Sequence, residues 1–416
     1  MAKPRVVPVN GYTEPGFEKM REVFTDNFHH RYEIGASCCV YYQDKKVVDL
    51  WGGWKDKNRL LEWEADTLAI VFSTTKGVSS LAFSLLHSKG LLDYDEKVST
   101  YWTEFGINGK ENITVRELLS HQAGLYTNDK SFTHELLTDE KKLSDCLAKQ
   151  KPYWAVGDKR GYHAWTIGMY INELTKRIDP QHRTIAQFVK EELVEPLHTE
   201  FYIGLPKEFE DSRLSQLIPF KPHEVITRGE NSDMNRILKG ILNPFSLFYR
   251  SLLNPPHAIN LNNFNRRKYL ELPMAAAHGF GNARALATIY NEFATGGKQL
   301  HINPATLATL EQPPIAPRVE KLDIVLFVDI PFSLGFAKPS AYQDFGVNQR
   351  AYGTWGAGGS GAFADPEKQV SFAYVMNKMG THIANDPREL ALRKMLYECI
   401  FDIERLNKTK PAEPSA

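Results

Sequence analysis

Phe17, Met20, Phe24 and Phe28 recur at three- and four-residue intervals among polar positions. That spacing places one apolar stripe on an α-helix. Thr13 and Pro15, just ahead, read as helix-start signals. Two runs of different character follow, ASCCVYYQ (36–43) and KKVVDLWGG (45–53), separated by Asp44. Their β-branched and aromatic content predicts an antiparallel hairpin. From about residue 66 the pattern turns helical. Within ITVRELLSHQAGL (113–125), Thr114 and Glu117 form a capping-box signature, Leu118 and Leu119 continue a short helix, and Gly124 marks its stop. Further helical stretches run around Trp165 to Arg177 and Ile185 to Leu197. Strand character returns only near the C-terminus, in GGSGAFADPE and QVSFAYVMNK, before a final amphipathic helix from about Arg388 to Leu406.

Strands at both ends with helices between them predict one sheet built from both termini and a helical insertion facing it. The fold class is therefore α/β (α+β), an antiparallel sheet flanked by helices. No Gly/Ser-rich linker or internal repeat divides the chain. The expectation is one discontinuous unit over 15–405, with a sheet part at 15–65 plus 275–405 and a helical part at 66–274. The tail at 406–416, ending in KPAEPSA, is expected to be disordered. Residues 231–270 fit this plan poorly. Ile237, Leu238, Ile241, Leu242, Phe245, Leu247, Phe248, Leu252 and Leu253 stand beside Asn-Pro steps. They predict an amphipathic helix broken at Pro244, which lines a pocket, acts as a lid or is ordinary packing.

The 416 residues are 42% hydrophobic, and 50 Lys plus Arg balance 50 Asp plus Glu. No global field points to nucleic acid or an anionic membrane, so a small-molecule partner is favoured. No run supplies the ~20 apolar residues of a membrane span. The start of the chain shows no signal-peptide or presequence pattern. A cytoplasmic enzyme is the expectation. Cys38, Cys39, Cys146 and Cys399 form neither a disulfide framework nor a metal-binding pattern. Neither they nor His29 and His30 suggest a metal site, and no cofactor is expected. The oligomeric state, a homo-oligomer included, stays open.

The chemistry begins at AIVFSTTKGVSSLAFSLLHSKG (69–90). In S-x-x-K on a helix, positions i and i+3 share a face, which brings the Lys76 amine beside the Ser73 oxygen. A neighbouring base typically adds about 10² to 10⁴-fold to proton removal from such a hydroxyl. The helix N-terminus would favour a developing oxyanion. Desolvation between Phe72 and the apolar face of Val78, Leu81 and Ala82 would lower the lysine pKa. The bland alternative is an exposed lysine on a helix whose first turn Ser73 caps.

FSTTK (72–76) followed by TVRELLSHQAGL (114–125) resembles the serine β-lactamase and penicillin-binding-protein superfamily. The closer resemblance is to its class C-like and family VIII esterase branch, which includes β-lactamase-domain-containing proteins of animals. It runs from about residue 15 to 405. The resemblance implies a tyrosine general base, which RGYHAWTIG (160–168) supplies as Tyr162. A phenol acts as a base only if cations hold it as phenolate, and Lys76 is the expected cation. Ala164 stands where the lactamase form carries an asparagine, so the grip on a lactam amide is missing. The third element implied is a triplet bordering the site, here Thr354, Trp355 and Gly356, with no cation for a β-lactam carboxylate. The Ala357 amide would join that of Ser73 as the oxyanion hole. His278 and Asn282, in HGFGNARALATIY, are expected to border the pocket, and His121 to be a structural hydrogen-bonder. GAGGSG (356–361) matches G-x-G-x-x-G but leads into a strand, so a dinucleotide site is not expected, and Ser360 reads as a strand residue.

Together these features predict a metal-free serine hydrolase working through an acyl-enzyme, with Ser73, Lys76 and Tyr162 as its catalytic set. Esters are the expected substrates. The alternatives are a β-lactamase, amidase or peptidase with the same machinery, or a binding or scaffold protein on the same fold.

Overall fold

The computed structural model describes residues 6–221, 224 and 239–409. At the N-terminal end, strand β1 (Val9–Thr13) precedes helix α1 (Glu18–His30), and the predicted hairpin forms as β2 (Gly35–Tyr42) and β3 (Lys45–Gly53). Thr13 thus closes a strand instead of opening a helix. β1 runs along the β3 edge, with Val9 opposite Gly52, and five residues of mixed polarity carry too little alternation to announce it. α1 buries Met20, Phe24 and Phe28 as its stripe requires.

The middle of the chain is mostly helical but contains short strands that no period-2 pattern could reveal: β4 (Ala69–Ile70), β5 (Lys159–Arg160), β6 (Phe201–Ile203), β7 (Gly279–Gly281) and β8 (Glu320–Asp323). Helix α2 (Thr74–Ser88) is buried on all sides, from Thr74 through Leu86, so it is a central helix and not a one-sided surface one. Helix α3 (Val115–Leu119) carries both halves of the Thr114–Glu117 capping box. Helix α4 (Thr166–Ile178), helix α5 (Leu247–Leu252) and helix α6 (Ala283–Ala294) follow. The chain is helical at 239–242 and again from Leu247, and the break falls at the predicted Pro244. Ile237 and Leu238 lie outside the described residues.

Five C-terminal strands complete the sheet: β9 (Phe332–Ser333), β10 (Phe336–Ala337), β11 (Tyr352–Trp355), β12 (Gly361–Asp365) and β13 (Val370–Met376). The spatial order is β1-β3-β2-β13-β12-β11-β10-β9, antiparallel throughout. The join between the two ends of the chain is β2 against β13, with Cys39 opposite Ala373. Both faces are covered. Adjacent residues on β2 point to opposite faces: Cys38 feels the charge of Glu389 on helix α7 (Pro387–Thr409), whereas Cys39 feels Arg284 on α6. All four cysteines are buried and unbridged. α7 extends to Thr409, past the expected Leu406; residues 410–416 lie outside the described residues. Among the described residues, no helix is long and apolar enough to cross a membrane.

Gly77 sets how close α2 comes to the sheet. A Cβ at this position would overlap the Tyr290 hydroxyl of α6 and fall 2.5 Å from Thr354 Oγ1 on β11. Only a residue without a side chain lets the helix carrying Ser73 and Lys76 approach the strand carrying Thr354.

Candidate active site

The turn from β4 into α2 is held by hydroxyls. The Val71 amide donates to Gly279 O at 2.9 Å, Thr75 Oγ1 donates to Phe72 O at 2.5 Å, and Gly279 N donates to Thr75 Oγ1 at 2.8 Å. Ser360 precedes β12 instead of lying in it. Its hydroxyl donates to Val71 O at 2.8 Å and meets Thr74 Oγ1 at 3.0 Å. Thr74, Thr75 and Ser360 therefore brace the turn that carries Ser73, a role the bare motif did not disclose. Phe72 is pinned at φ +45°, a left-handed conformation unfavourable for a bulky side chain. Its ring packs edge-on against Phe264, 5.0 Å between centroids.

Ser73 follows at the N-cap of α2, but its side chain makes no capping bond. It faces Lys76 instead, with Nζ 3.1 Å from Oγ. The capping alternative is thereby excluded, and so is an exposed lysine: Lys76 is 2% exposed. Its surroundings differ from the apolar slot expected. Nζ also donates to Ala164 O at 2.7 Å and Ala276 O at 2.9 Å. Burial pushes the amine well below the ordinary lysine range. A neutral amine has two N–H groups, which match the two carbonyls, and one lone pair, which is left for the Ser73 hydroxyl. Ser79 Oγ donates to Ala275 O at 2.7 Å and so steadies one of those carbonyl-bearing segments.

Tyr162 lies over the same amine, with Nζ 4.8 Å from its ring centroid. Burial pushes its phenol well above the ordinary range; contact with the Ser73 hydroxyl pulls the other way, and the Asp323 charge adds to the rise. Burial and the Asp323 charge thus both run against the phenolate that a general-base role requires, and Lys76, itself held toward neutrality, offers less positive charge to favour it. The shelf under Tyr162 is the SHQAGL segment. The His163 amide donates to His121 Nδ1 at 3.0 Å, Gly161 N donates to His121 O at 3.0 Å, and Leu125 N donates to His163 Nε2 at 3.0 Å. His121 is the structural hydrogen-bonder expected. Ser251 Oγ donates to Tyr162 O at 2.7 Å, and Asp323 Oδ1 accepts from the Tyr162, Val325 and Leu326 amides. Burial pushes the Asp323 carboxyl up to about 6 against those bonds. Neither Ser251 nor Asp323 carried a recognisable sequence signal.

On the opposite border, Thr354 Oγ1 donates to Thr74 O at 3.2 Å and meets Tyr290 Oη at 3.3 Å, so the hydroxyl is committed to the scaffold. Trp355 stacks on Phe345 at 4.7 Å. Gly356 lies so close to the nucleophile turn that a Cβ would overlap Val71 O and Ser360 Oγ. Among the described residues, neither the Ser73 nor the Ala357 amide donates to another backbone oxygen. Arg388, buried behind this loop, donates to Gly358 O at 2.7 Å and Lys378 O at 2.8 Å while paired with Asp386 and Glu33.

Ser73, Lys76, Tyr162, Thr354, Trp355, Gly356 and Ala357 all line one cavity of about 610 Å³. Ala164 contributes its carbonyl to Lys76 and does not line the cavity, so the structure replaces its expected contact with substrate by a contact with Lys76. His278 is likewise corrected: it is fully buried behind the wall, edge-on to Trp165 and Phe264, and bonds Leu272 O at 3.0 Å. Asn282 caps α6. Of the segment left open in the sequence, Ile241, Phe248, Leu252 and Leu253 line the cavity, as do Ile259 and Phe264, whereas Leu242, Phe245 and Leu247 do not.

The Beta-lactamase family model matches residues 23–394. The chain is 31% identical over 377 residues to Esterase/beta-lactamase LipL of Mycobacterium tuberculosis, covering 89% of this chain and 83% of that protein. A solved family VIII carboxylesterase superposes with a TM-score of 0.81 at 31% identity, over 94% of this chain and 100% of the other. A penicillin-binding protein homologue from Caulobacter crescentus gives 0.78 at 31% identity, with the same coverages. The chain belongs to the beta-lactamase family and is a serine hydrolase.

Proposed function

We propose that this serine hydrolase is a carboxylesterase that works through an acyl-enzyme on Ser73. The observation that carries the reading is the Lys76 amine, buried, 3.1 Å from Ser73 Oγ and with its two other directions taken by carbonyls. The Ser73 proton passes to Lys76 as Oγ bonds the ester carbon, and the carbonyl oxygen becomes an oxyanion that accepts hydrogen bonds from the Ser73 and Ala357 amides. The C–O bond to the alcohol then breaks, and the neutral Tyr162 phenol gives its proton to the departing alkoxide. The Lys76 ammonium restores that proton. In the second half a water attacks the acyl carbon, its proton goes to the same pair, and Ser73 recovers its own as the acid leaves.

Esters are favoured over lactams and peptides by what the cavity lacks. Ala164 presents no side-chain amide, and its carbonyl is already engaged by Lys76. Among the described residues lining the cavity, Lys76 and His382 are the basic side chains, and Lys76 is turned toward Ser73. The test is turnover of p-nitrophenyl butyrate, nitrocefin and a D-alanyl peptide by wild type and Ser73→Ala. Ester hydrolysis that vanishes in the variant, well above any lactam or peptide turnover, is expected. Faster lactam than ester turnover would reverse the assignment.

A further inference from the structure

The cavity in front of Ser73 is far more apolar and more capacious than a short ester requires. At the ~30 Å³ of a water-sized group, 610 Å³ holds roughly 20 heavy atoms, whereas ethyl butyrate has about eight. The wall contributed by 239–264 is mainly hydrocarbon, with Phe248, Leu252, Leu261 and Phe264 lining it beside Tyr249, and Leu326, Ile330 and Phe332 add to it from another part of the chain. No Asp, Glu or Arg lines the cavity among the described residues. The apolar surface also runs outward. Ile241 and Ile259 line the cavity yet are 37% and 57% exposed, and the adjoining turn leaves Leu242 79% and Phe245 88% exposed. Hydrocarbon in water at a cavity rim is unfavourable unless an apolar ligand covers it.

We propose that the substrate is an uncharged ester carrying a long hydrocarbon chain, roughly 12 carbons or more, and that esters with a carboxylate on that chain are rejected. The inference rests on the esterase reading above. Each buried methylene is worth up to about fourfold in transfer equilibrium, and a carboxylate against the 239–264 wall would lose its hydration with no Lys or Arg among the described lining residues of that wall to replace it.

The experiment measures kcat/KM for p-nitrophenyl butyrate, octanoate and dodecanoate, each below its critical micelle concentration, and for the suberate monoester, which is octanoate-length with a terminal carboxylate. A rise of at least about tenfold from butyrate to dodecanoate is expected, given the per-methylene gain, with the suberate monoester at least about tenfold below octanoate. Ile259→Glu, at a partly exposed position where folding is not at stake, is expected to lower the dodecanoate-to-butyrate ratio. Ser73-dependent butyrate hydrolysis with a flat or falling chain-length series, or equal use of the carboxylated ester, would overturn this inference and leave the esterase reading standing. Absence of Ser73-dependent hydrolysis for every ester would overturn both.

Discussion

Lys76 Nζ lies 3.1 Å from Ser73 Oγ, one turn along α2. Because burial lowers the folded amine's pKa, the protonated fraction disappears at lower pH than for an exposed lysine. Only the neutral amine can take the serine proton. kcat/KM should therefore rise with pH through the folded value and level off well below the ordinary lysine pKa of ~10.4. Lys76→Ala should lose about 10² to 10⁴-fold. Lys76→Arg, which stays charged at every accessible pH, should lose at least as much, with no recovery at alkaline pH. A pH–rate profile for the three proteins checks both points.

Asp323 offers a separate handle. Its carboxyl is pushed to about 6 in the fold, against ~3.9 in an unfolded chain. Between about pH 4 and 6 the folded state holds a proton that the unfolded state has released, so stability falls as pH rises through that window. Asn retains an oxygen for the Tyr162, Val325 and Leu326 amides and removes the titration. Asp323→Asn should erase that part of the pH dependence, seen as a difference between urea midpoints of variant and wild type at pH 4 and pH 7. It should also lower the alkaline pKa of kcat/KM, because the Asp323 charge raises that of Tyr162. Parallel curves would contradict this.

Gly→Ala inside a helix ordinarily adds up to about 1 kcal/mol of stability. Gly77→Ala should do the reverse, costing about 1–3 kcal/mol, because the new methyl meets the Tyr290 hydroxyl and Thr354 Oγ1. Removing the hydroxyl in Gly77→Ala/Tyr290→Phe should recover much of the loss. Thermal melts of the single and double variants measure it.

Arg388 holds Gly358, next to the amide assigned to the oxyanion. Lysine keeps the charge but cannot reproduce the guanidinium fork that bonds Gly358 O, Lys378 O and Asp386 together. Arg388→Lys should lower kcat by up to about 10²-fold, the scale of losing one oxyanion donor, with KM moving far less. Steady-state kinetics with near-UV circular dichroism separates this split from general unfolding, which would instead reduce the active fraction and the spectrum together.

Local signals were legible wherever cause and effect lie close in the chain. The β2–β3 hairpin, the Thr114 capping box, the helix break at Pro244 and the Ser73–Lys76 pair each depend on residues a few positions apart. What escaped is long-range. The carbonyls that surround Lys76 come from Ala164 and Ala276, 88 and 200 residues away, so an apolar slot was expected. The upward shift of the Tyr162 phenol, set first by burial, comes in part from Asp323, which lies in β8, too short to read as a strand. His278 looked like a pocket residue because HGFGNARALATIY resembles the family's pocket-bordering segment, yet its ring packs edge-on against Trp165 and Phe264 behind the wall. The family motif placed Tyr162, Trp355 and Ala357 on the cavity, since spacing in the chain survives where side-chain direction does not.

The most direct measurement is the intact mass, with peptide mapping, of the protein quenched during turnover of a slow p-nitrophenyl ester. A single acyl adduct on Ser73 in the wild type, and none in a folded Ser73→Ala, is the predicted result. Hydrolysis that persists in Ser73→Ala, or an adduct on any other residue, would contradict it.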